Sequence, residues 1–204
     1  MIKSLIVSTA VAGLLCAQSN VAAAPVEWSI AAGGNGHRYD VVLAPTSSGI
    51  SWTAADAAAS AAGGWLATLN SAAEDQFVFG LAQVVPAAWR LDGNGNGRGP
   101  WIGGFQPPGS LEPAGGWQWV DNEGPFVFAN WEAQQPNNTG GIEDRAQFFA
   151  RQQLIGDGWN DAAKDALHPA YIIEFASQPV PLPGAVWLLG SALAGMVSIT
   201  RRRR

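Results

Sequence analysis

The sequence predicts an α+β fold, and three observations predict it. Two helix-like stretches come early, each opened by a serine in a capping position. Short strand-like runs dense in Trp, Phe and Val follow them. Long loops rich in Gly, Pro and Asn separate those runs. A chain of 204 residues is about right for one such domain flanked by targeting segments.

At the N-terminus, Lys3, the apolar run Leu5–Cys16 and the small residues Val21 to Ala24 read as a secretory signal peptide over residues 1–23, with cleavage expected after Ala23. The domain itself is expected over residues 25–176. Trp28 to Ile30 and Tyr39 to Leu43 read as early strands around the turn Gly33-Gly34-Asn35-Gly36. Ser51 is placed to cap a helix over Trp52–Ala62, which Gly63-Gly64 stops. Ser71-Ala72-Ala73-Glu74 is a capping box that opens a second helix to about Gln83. Phe77, Val78 and Leu81 fall on its buried side, and Pro86 closes it.

Asp92-Gly93-Asn94-Gly95-Asn96-Gly97 matches the first half of a helix–loop–helix calcium loop. The twelfth position, where a bidentate Glu belongs, is Gly103, so the stretch reads as a glycine-rich surface loop. Beyond it, Trp101–Phe105, Trp117–Val120, Phe126–Phe128, Ala146–Phe149 and Tyr171–Phe175 read as strands, and alternation puts Trp117 and Trp119 on one face. The stretch from Phe128 to Ala146 has little regular pattern, and loops of that length are usually functional. Residues 177–183 are a Pro-containing linker. Residues 184–204 comprise the uncharged run Gly184–Thr200 and four arginines, the pattern of a membrane-spanning helix with a cytoplasmic basic end.

Five of the eleven basic residues, Lys3 and Arg201 to Arg204, lie in these flanks. All sixteen acids lie between Glu27 and Glu174, so the intervening domain carries a charge near −10. That balance argues against nucleic acid and anionic membrane surfaces as partners and suits a cation. Cys16, the only cysteine, is discarded with the signal peptide, so neither disulfides nor thiol chemistry are expected. His37 and His168 are the only histidines and lack zinc spacing, and no serine nucleophile motif appears. Neighbouring carboxylates such as Glu143 and Asp144 point apart in regular structure, so catalysis is not expected.

One ordered series of motifs spans about residues 37–176. It comprises Trp52, Gly63-Gly64-Trp65-Leu66-Ala67, Glu74, Trp101-Ile102-Gly103, Asn130-Trp131, Gln135-Pro136-Asn137, Glu143-Asp144, Trp159-Asn160-Asp161 and Ile173-Glu174. The series resembles the C-type lectin-like domain. The resemblance implies a double-looped α+β fold with two helices, two small antiparallel sheets, a long ligand-binding loop and paired terminal strands, here Tyr39–Leu43 and Tyr171–Phe175. The tail, Val180-Pro181-Leu182-Pro183 with the apolar run and arginines, resembles a PEP-CTERM sorting signal with Leu182 at the usual glutamate. That implies a Gram-negative bacterium and an exosortase that removes the tail. The chain would be exported, transiently anchored, and delivered to the cell surface or a biofilm exopolysaccharide matrix. The family's two disulfides are absent. Their positions here are Ala59 with Ile173, an apolar contact, and Arg145 with Lys164, two cations expected to point apart.

The resemblance also implies a Ca²⁺ site that doubles as a carbohydrate site, with Gln135, Asn137, Glu143, Asn160 and Asp161 as ligands and Pro136 in cis. All five side chains carry oxygen, which a hard cation requires. Without the ion, the polar groups of the loop are expected to lack a common partner. Gln135-Pro136-Asn137 matches neither family triplet, Glu-Pro-Asn for mannose-like or Gln-Pro-Asp for galactose-like hydroxyls, so the sugar class stays open. Only Glu143 and Asp161 bring formal charge, which predicts weaker Ca²⁺ binding than either triplet allows. Trp131 and Trp159 are expected in the core rather than as sugar platforms. The alternative reading is a metal-independent structural or adhesive matrix protein that binds protein partners through the same fold.

Overall fold

The computed structural model describes residues 24–121 and 124–178. The signal peptide, most of the linker and the C-terminal segment expected from the sequence lie outside these residues. Among the described residues, no helix is long and apolar enough to cross a membrane.

The chain opens with β1 (Val26–Glu27), pairs it with β2 (Arg38–Leu43), and runs into α1 (Trp52–Ala61). The Ser51 side chain accepts from the Ala54 N–H and starts α1; Gly63 ends it in the left-handed conformation, φ 84°, that glycine takes without penalty. After β3 (Trp65–Leu66) comes α2 (Ala72–Gln83), where the Ser71 hydroxyl accepts from Glu74 N at 3.2 Å. Glu74 does not complete the capping box at Ser71. Its carboxylate accepts instead from Asn70 N, Asn35 Nδ2 and the Tyr39 hydroxyl, because the side chain is buried against β2.

Strands β4 (Arg90–Leu91) and β5 (Gly97–Phe105) form a hairpin around the glycine-rich turn, where Asp92 Oδ1 accepts from Asn94 N and Asn96 N. Four strands follow: β6 (Gln118–Trp119), β7 (Glu143–Arg151), β8 (Leu154–Ala163) and β9 (Ala170–Phe175). The terminal strands pair antiparallel, Tyr39 opposite Glu174 and Leu43 opposite Ala170, as the resemblance implies.

Three expectations need correction. The described strands form one nine-stranded sheet and not two, because β5 is long enough to pair with β7 along one edge and to meet β9 in parallel at Trp101 and Tyr171. Trp28 to Ile30 is not a strand: Ser29 caps a 3-10 turn over Ile30–Ala32. Phe126–Phe128 has no strand partner, and Phe126 is held by its ring, 4.7 Å from that of Trp119.

Two clusters fill the core. One gathers Trp117, Trp119, Phe148, Trp159 and Ile172 with Val78 and Ala82 of α2. The other holds Trp52, Ala59, Trp101, Tyr171 and Ile173 against α1. Ala59 and Ile173 are thus buried together, as an apolar substitute for a bridge should be. Arg145 and Lys164 take separate partners. The Arg145 guanidinium lies 4.6 Å over the Trp52 ring and pairs with Asp144, while Lys164 pairs with Asp165.

Candidate functional site

The long loop between β6 and β7 is fixed at its start by β8. Trp159 N donates to Asn130 O at 2.7 Å and Glu132 N donates to Trp159 O at 2.8 Å, so the loop runs as a short extra strand beside β8. Two side-chain bonds reinforce this. Asp75 of α2 accepts from Trp159 Nε1 at 2.8 Å and from Asn130 Nδ2 at 2.7 Å. Burial pushes the Asp75 carboxyl up to about 7 despite those two bonds, with Asp157 and Glu74 adding repulsion. Trp159 is fully buried in the core, and Trp131, partly buried, packs against it at 5.7 Å.

Beyond Glu132 the loop turns through a cis Gln135–Pro136 bond and folds onto the end of β8. The Asp161 carboxylate, with no exposed surface, accepts from Asn137 N at 3.0 Å to each oxygen and from Asn138 N at 2.6 Å. Glu143, the first residue of β7, accepts from Thr139 N at 2.9 Å, and its own N–H donates to Asn138 Oδ1 at 3.0 Å. Asn137 Oδ1 accepts from the N–H and hydroxyl of Thr139. The Asn160 side-chain amide meets the Asp161 carbonyl. Gln135 Oε1 is buried with no hydrogen-bond partner. Burial raises the Glu143 carboxyl above the usual range, and the charge of Asp161 raises it further, against the bond from Thr139.

Four of the five residues singled out from the sequence therefore share one hydrogen-bonded cluster: Asn137, Glu143, Asn160 and Asp161. Gln135 adjoins it through the Pro136 bond and makes no side-chain bond to it. The expectation that the loop lacks a common partner without a metal is not met, because Asp161 serves as that partner through backbone N–H groups. The donor set still suits Ca²⁺. It is all oxygen, one member is a buried oxygen with nothing bound to it, and two carboxylates sit close enough to raise the pKa of one of them. No group of three or more His, Cys, Asp or Glu able to hold a metal occurs among the described residues. A site here would depend on the amides.

Thr139, Asp75 and Asn130 escaped the sequence reading as site residues. Asp75 carried a signal: it lies three and seven residues before Val78 and Ala82, on the apolar stripe of α2. Thr139 carried none.

No protein-family model matches the chain. Ladderlectin of Oncorhynchus mykiss is 36% identical over 111 residues, covering 54% of this chain and 50% of that protein, so the match spans half the length of this curated relative. Among solved structures, the C-type lectin CEL-I from Cucumaria echinata superposes with a TM-score of 0.54 at 21% identity, over 71% of this chain and 94% of that one. A calcium-independent type II antifreeze protein superposes with a TM-score of 0.50 at 21% identity, over 71% and 90%. The fold is C-type lectin-like.

Proposed function

We propose that the cluster from Gln135 to Asp161 holds Ca²⁺ together with a pair of adjacent sugar hydroxyls. The chain is then an exported, Ca²⁺-dependent carbohydrate-binding protein of the cell surface or exopolysaccharide matrix. The observation that carries this reading is the convergence of Asn137, Glu143, Asn160 and Asp161 in one hydrogen-bonded cluster, with the cis-linked Gln135 next to it in the chain carrying a buried Oε1 that has no partner.

Gln135, Asn137, Glu143, Asn160 and Asp161 are the residues that would hold the ion. When bound, Ca²⁺ supplies open coordination positions for two hydroxyl oxygens and a charge that offsets the repulsion between the two carboxylates. Carboxylate oxygens of Glu143 and Asp161 accept from sugar hydroxyls, and the amide nitrogens of Gln135, Asn137 and Asn160 donate to them. The names of Ladderlectin and CEL-I, both lectins, support sugar as the ligand class. The role is binding and not catalysis. Export, the C-terminal sorting signal, its exosortase and the transient membrane anchor belong to the same proposal and rest on the sequence pattern of the two flanks.

The metal-independent alternative has one observation in its favour. Asp161 closes the loop through Asn137 and Asn138 with no cation needed. A glycan array probed with the full-length protein, in millimolar Ca²⁺ and in chelator, separates the two readings. Our reading expects sugar binding in Ca²⁺ that chelator abolishes. Chelator-resistant glycan binding contradicts the Ca²⁺ dependence, and no glycan bound in either condition favours the protein-binding alternative.

A further inference from the structure

A cleft of about 420 Å³ leads away from the Asn160–Glu143 end of the cluster along the face of β7 and β8, and ends at the β4–β5 hairpin. Its size falls in the range of small-ligand sites. Two features of its lining bear on what it could hold.

The first is a pair of like charges. Arg90 and Arg98 stand directly opposite each other on β4 and β5, an arrangement that destabilises a hairpin. Neither forms an ion pair with a carboxylate among the described residues. Both are held in place by backbone carbonyls: Arg90 by Ser47 O and Ser48 O, Arg98 by Leu167 O at 3.1 Å. Those bonds orient each guanidinium and leave part of its five-donor fork unused. The acids of the cleft are engaged elsewhere: Asp92 Oδ1 accepts from its own loop, and Glu143 belongs to the cluster.

The second feature is Gln147, 3% exposed, whose Oε1 has no hydrogen-bond partner and which lines the same cleft. Gln147 pairs across the ladder with Asn160, and Phe149, two residues on, pairs with Arg98. Strand rise makes that step about 7 Å, so Gln147 lies between the cluster and the arginines.

We propose that this cleft is a subsite for the anionic group of an acidic glycan, a carboxylate or a sulfate on the sugar beside the one held at the cluster. Gln147 Oε1 accepts from a hydroxyl midway along the cleft. Arg90 and Arg98 donate to the anion at its far end, which is the geometry guanidinium forks favour. The proposal rests on the carbohydrate-binding reading and narrows its ligand class.

The test titrates full-length wild type, R98Q and E143Q with three oligosaccharides of one backbone: uronate, its carboxyl-reduced neutral form, and a sulfated form. Each titration is run in Ca²⁺ and in chelator. Wild type should bind at least one acidic form about tenfold more tightly than the neutral one. Which acidic form gains identifies the anion. R98Q should lose that gain, keep neutral-sugar affinity, and keep its melting temperature, whereas E143Q should lose neutral binding. Equal affinity for neutral and acidic forms, or a gain that survives in R98Q, overturns the subsite. Failure of the neutral sugar to bind, with acidic binding that persists in chelator and is lost in R98Q, would uphold the cleft and refute the Ca²⁺ reading.

Discussion

Asp75 shows how one residue couples a helix to the site. It is almost fully buried, and its two carboxylate oxygens fix Asn130 and Trp159, the points where the long loop joins β8. Its carboxyl titrates near 7 in the fold and near 3.8 unfolded. The folded state therefore holds the extra proton between those values, and the stability it brings is present below about pH 4 and lost as pH rises through 7. A shift of this size corresponds to a few kcal/mol, as an order of magnitude. Glu74, also raised by burial, acts in the same direction. Asparagine cannot ionise, so D75N should gain stability relative to wild type as pH rises from about 4 to 8, measured by urea unfolding. A difference that is constant with pH contradicts this. The five oxygen donors of the candidate site were picked out through the resemblance of Gln135-Pro136-Asn137, Glu143 and Asn160-Asp161 to the C-type lectin-like motifs, not from residue type alone. Asp75 showed only as an acid on the apolar stripe of α2 and Gln147 not at all, because their surroundings come from burial, which a polar residue type does not announce.

Among the elements, α1 and α2 were legible to within a residue, because Ser51 and Ser71 start them and local capping chemistry decides where a helix begins. Strand β8 was not. Leu154–Ala163 contains two glycines, two aspartates and an asparagine, poor strand formers all. It is a strand because β7 pairs along its length on one side and Trp131 joins it on the other, a tertiary cause with no local trace. Phe126–Phe128 is the converse, strand-forming in composition but held by ring packing. The packing of β5 is equally tight. A Cβ on Gly103 would run into the carbonyl of Leu66 and crowd that of Ala67 at 3.1 Å, both backbone atoms unable to swing away. G103A should therefore cost roughly 1–3 kcal/mol in denaturant unfolding; a neutral result would show that β3 and β5 can separate freely.

At the scale of the whole molecule, the tryptophans hold the parts together. Trp52 and Trp101 fill one core cluster, and Trp117, Trp119 and Trp159 fill the other. Their places within the ordered motifs made the fold readable. The joining of the strands into one sheet was not readable, because it depends on the parallel meeting of Trp101 and Tyr171, which stand 70 positions apart in the chain. The hydrogen-bonded loop means that a cation would add to an assembled cluster and not create it. Ligand binding to the native state alone raises the melting temperature. The most direct measurement is therefore thermal unfolding of the full-length protein in chelator and in millimolar Ca²⁺, for wild type and E143Q. At a Ca²⁺ concentration near one hundred times Kd, wild type should gain about 5–10 °C and E143Q little. No gain in wild type, or an equal gain in E143Q, would contradict a Ca²⁺ site at Gln135, Asn137, Glu143, Asn160 and Asp161.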